Sequence, residues 1–374
     1  MKKSLLALAV LGAFAGAASA QSSVTVYGIV DLGFDRTDTG AVAGSTTGIK
    51  SGGQSASRIG FKGTEDLGGG LNALFQLEAT IQADTGSAFS SPAVATSGVN
   101  AGYASGSGGF NRIATVGLQS AAFGTVNLGR QTSVIKDAYD VVDPFGDGGN
   151  IAPISAVFFG GALSGDFGRI SNSVKYSTPS FGGFKASAAY SFGEAVGSTS
   201  DNSSYGFGLG YANGPLNVQF AYHNQERLAG RLPATISATS GVVTPGVAFV
   251  ARENEAAFVG ATYNFGGFKL HGAYADASVE TATAETKVRN YLAGVSLPLG
   301  AAGNLFASYS VNDIRGTSNA DSQRAAIMYT YDLSKRTNLY TGYSHTSNDD
   351  SVNLAGGPVG ESNSAFNVGV RHKF

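Results

Sequence analysis

The links between segments constrain this chain more than any one segment does. Beyond residue 22 the sequence falls into stretches rich in Val, Tyr, Phe, Thr and Ala, each bounded by Gly, Asn, Asp, Ser or Pro. Such stretches read as β-strands, because β-branched and aromatic side chains suit a pleated surface and turn residues interrupt it. They lie near 23–34, 55–66, 70–82, 111–120, 124–132, 170–179, 182–193 and 203–212. The rest lie near 215–226, 254–264, 267–278, 287–297, 303–313, 322–331, 335–346 and 363–374, which makes sixteen. Short links at 66–70, 120–124, 179–183, 213–215, 265–267, 297–303 and 332–335 interleave with long ones. The long ones are 35–54, 83–110, 133–169, 194–202, 227–253, 279–286, 314–321 and 347–362. This alternation puts all short links at one end of the strands and all long ones at the other.

Each strand also has two unlike faces. In the last one, Phe366, Val368, Val370, His372 and Phe374 share a side, and Asn367, Gly369, Arg371 and Lys373 share the other. Ala73, Phe75, Leu77, Ala79 and Ile81 oppose Asn72, Gln76, Glu78 and Thr80 in the same way. Strands of about ten residues suit a tilted crossing of a roughly 25 Å apolar band, whereas sandwich strands are usually about half as long. Rings at strand ends, among them Phe181, Phe184, Phe265, Phe268, Tyr329, Tyr331, Tyr340 and Tyr343, read as girdles at the two membrane surfaces.

Composition removes the competing classes. With no Cys there is no disulfide scaffold and no Cys-bound metal. A formal charge of −2 offers no basic footprint for nucleic acid. A charged fraction of 13% beside 23 Phe and 16 Tyr is the reverse of a disordered chain, and 54 Gly argues against a helical bundle. Residues 1–20, MKKSLLALAVLGAFAGAASA, have the basic start, short apolar run and Ala-Ser-Ala ending of a secretory signal peptide. Removing it, with Lys2 and Lys3, leaves one domain, 21–374, of formal charge −4. No later stretch is long and apolar enough for a membrane helix, so an exported chain of this pattern reads as an all-β, sixteen-stranded antiparallel transmembrane barrel. Its location is then an outer membrane, in contact with lipid.

Three blocks carry a specific resemblance: SRIGFKGTEDLGGGLNALFQLE at 57–78, VGLQSAAFGTVNLGRQ at 116–131 and NSVKYSTPSFGGFKASAAYSFGE at 172–194. With SSVTVYGIVDLGF near the start and NVGVRHKF at the end, they resemble the trimeric general porins of Gram-negative bacteria, β-proteobacterial type, over essentially the whole chain after the leader. The resemblance implies a homotrimer, a passive pore for small hydrophilic solutes and ions, and a third external loop folded inward as a constriction. Thr115 departs from it, standing where these porins often carry an aromatic on the lipid face. Ile29 stands where some enteric members place a basic lumen residue.

A porin works as a sieve with a field across it, so it needs a basic wall and an acidic loop. Arg58 and Lys62 share one face of their strand, opposite Ile59 and Phe61, and that parity points both into the lumen. Arg112 is read as alternating likewise against Ile113 and Thr115; Arg130 and Arg169 flank the third long loop. By resemblance Arg58, Arg130 and Arg169 match the family's basic ladder, and Arg112 an additional lumen Arg. By resemblance too, Asp140 and Asp143 match the constriction-loop acids, with Asp137 and Asp147 as further candidates, and Glu78 a lumen acid. Surface solvation is the competing reading for each of these charges. Phe374, ending an apolar strand, reads as an assembly signal that closes on the first strand. No cofactor or metal is expected, and no catalytic constellation surrounds His223, His271, His345 or His372. The alternative to a pore is a structural or adhesive barrel with a plugged lumen. Arginines at the neck favour anions, the net charge and loop acids favour cations, and the balance leans to anions.

Overall fold

The computed structural model describes residues 23–42, 44–88, 109–146, 149–159, 167–194, 200–226, 229–231, 235–236, 243–244, 248–281, 284–354 and 357–374. The leader at 1–20, Asp147 and parts of the long loops lie outside the described residues. Sixteen strands form the wall. They are β1 (Ser23–Asp38), β2 (Arg58–Gly68), β3 (Leu71–Gln82), β4 (Ile113–Ser120), β5 (Gly124–Thr132), β6 (Arg169–Ser177), β7 (Phe184–Ser191) and β8 (Ser204–Asn213). They continue as β9 (Leu216–Glu226), β10 (Ala248–Asn264), β11 (Lys269–Thr281), β12 (Glu285–Leu299), β13 (Gly303–Arg315), β14 (Ser322–Asp332), β15 (Thr337–Asn348) and β16 (Asn363–Lys373). Each pairs antiparallel with the next in sequence.

The ring closes through β1. Its first half pairs with β2, from Ser23 opposite Thr64 to Ile29 opposite Arg58. Its second half pairs with β16, from Ile29 opposite Lys373 to Asp38 opposite Ser364. Gly28 and Phe374 extend the seam by exchanging backbone N–H···O bonds of 3.1 Å. A Cβ on Gly28 would lie 2.4 Å from the Phe374 ring, so only Gly fits there.

Face alternation survives in three dimensions. Val24, Val26, Val30 and Phe34 are exposed along the outer face of β1, and Phe366, Val368 and Val370 along that of β16. A contiguous apolar surface of this extent needs an apolar solvent. The inner face holds the polar partners, such as Asp31, Asp35 and Asn367, all buried.

Two expectations change. The link expected at 279–286 shrinks to 282–284, because Val279 and Val288 are buried and the ladder continues to Glu280 opposite Glu285. Tyr340 is not a girdle residue. Its neighbours Leu339 and Tyr343 are exposed at 46% and 45%, whereas Tyr340 is 2% exposed on the opposite face. Its hydroxyl donates to Asp31 Oδ1 at 2.6 Å, and Gly33, Gly53 and Gly369 leave the space its ring occupies. The other Asp31 oxygen accepts the N–H groups of Gln54 and Ser55. The first long loop is thereby tied to the seam, where Thr46–Ser51 also adds a short strand beside β1.

Tyr340→Phe removes a buried hydrogen bond to a carboxylate and should lower unfolding stability by about 1–3 kcal/mol. Urea unfolding of the purified barrel measures this; an unchanged midpoint would show that the contact carries no stability.

Candidate functional site

The third long loop is where chain and wall meet most closely. Ser133 Oγ accepts the Lys136 N–H at 3.1 Å and starts α1 (Val134–Val142). Val134, Ile135, Ala138, Tyr139 and Val142 recur at helical spacing and are all buried. They pack with Ala221, Ala256, Phe258 and Ala275, which lie on the face of β9–β11 turned away from the exposed apolar row. Small residues make the room: a Cβ on Gly208 would lie 2.6 Å from Val134, and one on Gly260 2.9 Å from Val142. A second short helix, α2 (Ile154–Phe158), buries Ile154, Val157 and Phe158 in the same core.

Wall side chains satisfy the carbonyls that helix C-termini leave open. His271 Nδ1 lies 2.7 Å from Val142 O, at the end of α1. Asn312 donates to Val157 O at 2.9 Å and Asn290 to Phe158 O at 3.1 Å, at the end of α2. Asn312 also donates to Asn290 Oδ1 at 2.7 Å.

The candidate charges divide into groups. On β1–β4, Glu78 is the hub. Arg112 Nε donates to its Oε1 at 2.6 Å, Tyr27 donates to its Oε2 at 2.9 Å, and Arg58 Nε stands 3.9 Å from Oε2. Gln76 donates to the Tyr27 hydroxyl at 2.6 Å, and Lys62 Nζ lies 5.3 Å from the centre of the Tyr27 ring. Arg58, Lys62, Gln76 and Glu78 share a face by register, with Gly60 opposite Glu78 and Lys62 opposite Gln76. A recess of about 380 Å³ opens beside them, lined in part by Thr25, Lys62, Gln76, Thr115 and Asn127.

That lining corrects the placement of Thr115. Register sets it opposite Gln76 and Ile113 opposite Glu78, so both are on the inner face, and Val116 and Leu118 are exposed outside. Arg112 therefore does not reach Glu78 by strand parity. It precedes β4, where its N–H donates to Glu78 O and its side chain turns in to the carboxylate.

Arg130 and Arg169 stand on β5 and β6. Arg130 Nε donates to Asn111 O at 2.6 Å and its Nη1 to Ser171 Oγ at 2.7 Å. The register slips between Gly129 and Gln131, and Gly129 has φ +119°, a bulge that re-aims the strand end. Arg169 is half-buried opposite Thr132.

The loop acids have local partners. Asp140 pairs with Lys136 one turn back at 2.8 Å, and Asp137 with Lys175 at 2.7 Å. Asp143 ends α1, its Oδ1 accepting the Phe145 N–H at 2.9 Å and its Oδ2 the Ile154 N–H at 3.0 Å. Asp143 is a staple between the two helices. Sequence reasoning missed Gln76, the Asp31–Tyr340 tie and the docking residues His271, Asn290 and Asn312. The signal for Gln76 was present, since it has the parity of Glu78.

Asp143→Ala strips two backbone N–H groups of their acceptor, a loss of about 1–3 kcal/mol for each buried donor left unmade. Amide hydrogen exchange at Phe145 and Ile154 should accelerate by on the order of tenfold or more. Unchanged exchange would remove the staple role.

Comparison with known proteins fits this geometry. A family model described as Gram-negative porin matches residues 7–351. The chain is 34% identical over 420 residues to an outer membrane porin protein of Bordetella pertussis, and 35% identical over 393 residues to outer membrane porin protein 32 of Delftia acidovorans. All of each chain is covered in both comparisons. Among solved structures, an anion-selective porin from Comamonas acidovorans superposes with a TM-score of 0.77 at 30% identity, covering 95% of this chain and 100% of that one. A closed sixteen-stranded wall, polar within and apolar without, together with these relatives, shows that the chain belongs to the Gram-negative porin family, an outer-membrane channel for passive diffusion.

Proposed function

We propose that Arg58, Lys62 and Arg112, set around the single carboxylate of Glu78, form the charged wall of the channel's narrow zone and give it a preference for anions. The observation that carries this is the charge count on one patch of inner wall: three cations against one acid, with the acid held by Arg112 and Tyr27. Guanidinium groups keep their charge at any relevant pH. Among the described residues the loop acids Asp140, Asp137 and Asp143, which would argue for cations, are engaged by Lys136, Lys175 and backbone N–H groups. The Comamonas relative, described as anion-selective, supports the same sign.

On this reading the segment 133–168 is the third external loop, turned inward so that α1 narrows the pore. Arg130 and Arg169 continue the basic track toward it, and Asp140 lines the loop side. Three copies assemble in the membrane, as the resemblance to trimeric general porins implies, with lipid and lipopolysaccharide around them. Residues 1–20 act as the export leader. The transported class is small hydrophilic solutes and ions, and no bond chemistry takes place.

Purified protein in planar bilayers should insert in steps of three equal conductances and give a reversal potential on the anion side in a KCl gradient. Glu78→Gln should raise the anion-to-cation permeability ratio by a factor on the order of two to five, the scale of one unit charge near 4 Å in water. Replacing Arg58 and Arg112 together by Gln should lower the ratio, and high salt should flatten both effects. A cation-side potential in the unmodified protein would overturn the selectivity. Absence of conductance at high protein load would favour the plugged, structural barrel.

A further inference from the structure

We propose that Arg324, on the inner face of β14, anchors a second anion site for a small inorganic anion such as chloride or phosphate, apart from the Glu78 cluster. Among the described residues three cations are buried: Arg324 at 5% exposure, Lys136 at 6% and Lys175 at 8%. Lys136 has Asp140 at 2.8 Å, and Lys175 has Asp137 at 2.7 Å. Arg324, the most buried, has no carboxylate partner. Its one hydrogen bond runs from Nε to the neutral Thr346 hydroxyl at 2.8 Å.

The face is the right one for such a site. Arg324 stands opposite Ser310 on β13 and Thr346 on β15. Along β14 it shares its side with Ser322 two residues before it and with the apolar Ala326 two residues after it, both buried, while Ile327 and Tyr331 are exposed outside. Of the four nearest neighbours on this face, Ser310, Ser322 and Thr346 carry hydroxyl groups, Ala326 is apolar and none is an acid. Hydroxyls can donate to an anion without bringing a charge that repels it.

The chemistry is unbalanced as it stands. A guanidinium carries five N–H donors, and Thr346 takes one. The four terminal N–H groups have no acceptor among the described residues, yet neither terminal nitrogen is sealed from solvent. A buried charge without a counter-charge is costly, and the cost falls when an anion or ordered water completes the shell. A fixed positive charge in a water-filled barrel supplies the means, because anions have access to it.

The place in the ring matters too. β14 lies four strands from β2 around the wall, with β15, β16 and β1 between them. Arg324 therefore cannot be another rung beside Arg58. It offers an anion a second foothold on a different sector of the lumen, toward the long-loop end of its strand.

Crystals of the unmodified protein soaked in bromide test the site directly. Anomalous scattering should show a peak within hydrogen-bond distance of the Arg324 terminal nitrogens, and Arg324→Gln should abolish it while Arg324→Lys keeps a weakened one. Absence of a peak at Arg324 in the unmodified protein, at bromide concentrations that label Arg58 or Arg112, overturns the site and leaves the channel's own anion preference standing. A peak that persists undiminished in Arg324→Gln also overturns it. The test in the unmodified protein holds even if the Gln variant fails to fold.

Discussion

In a hydrocarbon solvent every backbone N–H and C=O must find its partner within the protein, and the rest of this structure follows from that constraint. Sixteen strands meet it only by closing, and closing falls on β1. That strand divides its length between β2 on one side and β16 on the other, and the Gly28–Phe374 exchange completes the seam. Gly28 is fixed by the same requirement, since a side chain there would displace the Phe374 ring. Once no edge is left, the outside is committed to apolar side chains. Polar chemistry can then go only inward.

The inner wall uses that freedom differently in its two halves. From β1 to β4 it carries long charged side chains grouped on Glu78. From β8 to β11 Gly and Ala recur where α1 lies, beside Phe258. The abundance of glycine is partly a docking surface, not only a matter of turns. Polar side chains then hold the helices where backbone bonding ends: His271 for α1, Asn290 and Asn312 for α2. In the described part of this segment Asp140, Asp137 and Asp143 are tied to Lys136, Lys175 and backbone N–H groups.

Much of this was legible because a strand repeats every two residues and a barrel has two solvents. Turn residues between the segments marked the strand count, and that period assigned both faces and the inward side of Arg58, Lys62 and Glu78. It failed where the period breaks. Arg112 lies just outside β4, so parity against Ile113 and Thr115 misplaced it, and the bulge at Gly129 leaves parity unable to aim Arg130. Tyr340 was misread because its partner Asp31 is 309 residues away, and only ring closure brings them together. The helix α1 was different. Ser133 followed by Val134, Ile135, Ala138, Tyr139 and Val142 is a capped amphipathic pattern, hidden by the expectation of an irregular loop.

The charge of the whole chain is a poor guide to what passes through it. A formal −2 is a sum over every part of the chain, and charges farther than about 8–10 Å from a permeating ion are screened at physiological salt. What a permeating ion meets is set by groups within a few ångströms. At the proposed narrow zone Glu78 does not cancel the cations beside it; it organises them. Its Oε1 holds Arg112, while its Oε2 takes the Tyr27 hydroxyl and leaves Arg58 at 3.9 Å, too long for a hydrogen bond. One carboxylate on β3 thus stands between two guanidinium groups, Arg58 at the start of β2 and Arg112 just before β4, and leaves Arg58 without a hydrogen bond to it. A wall without that acid would carry more charge but would have nothing to fix where the charge stands.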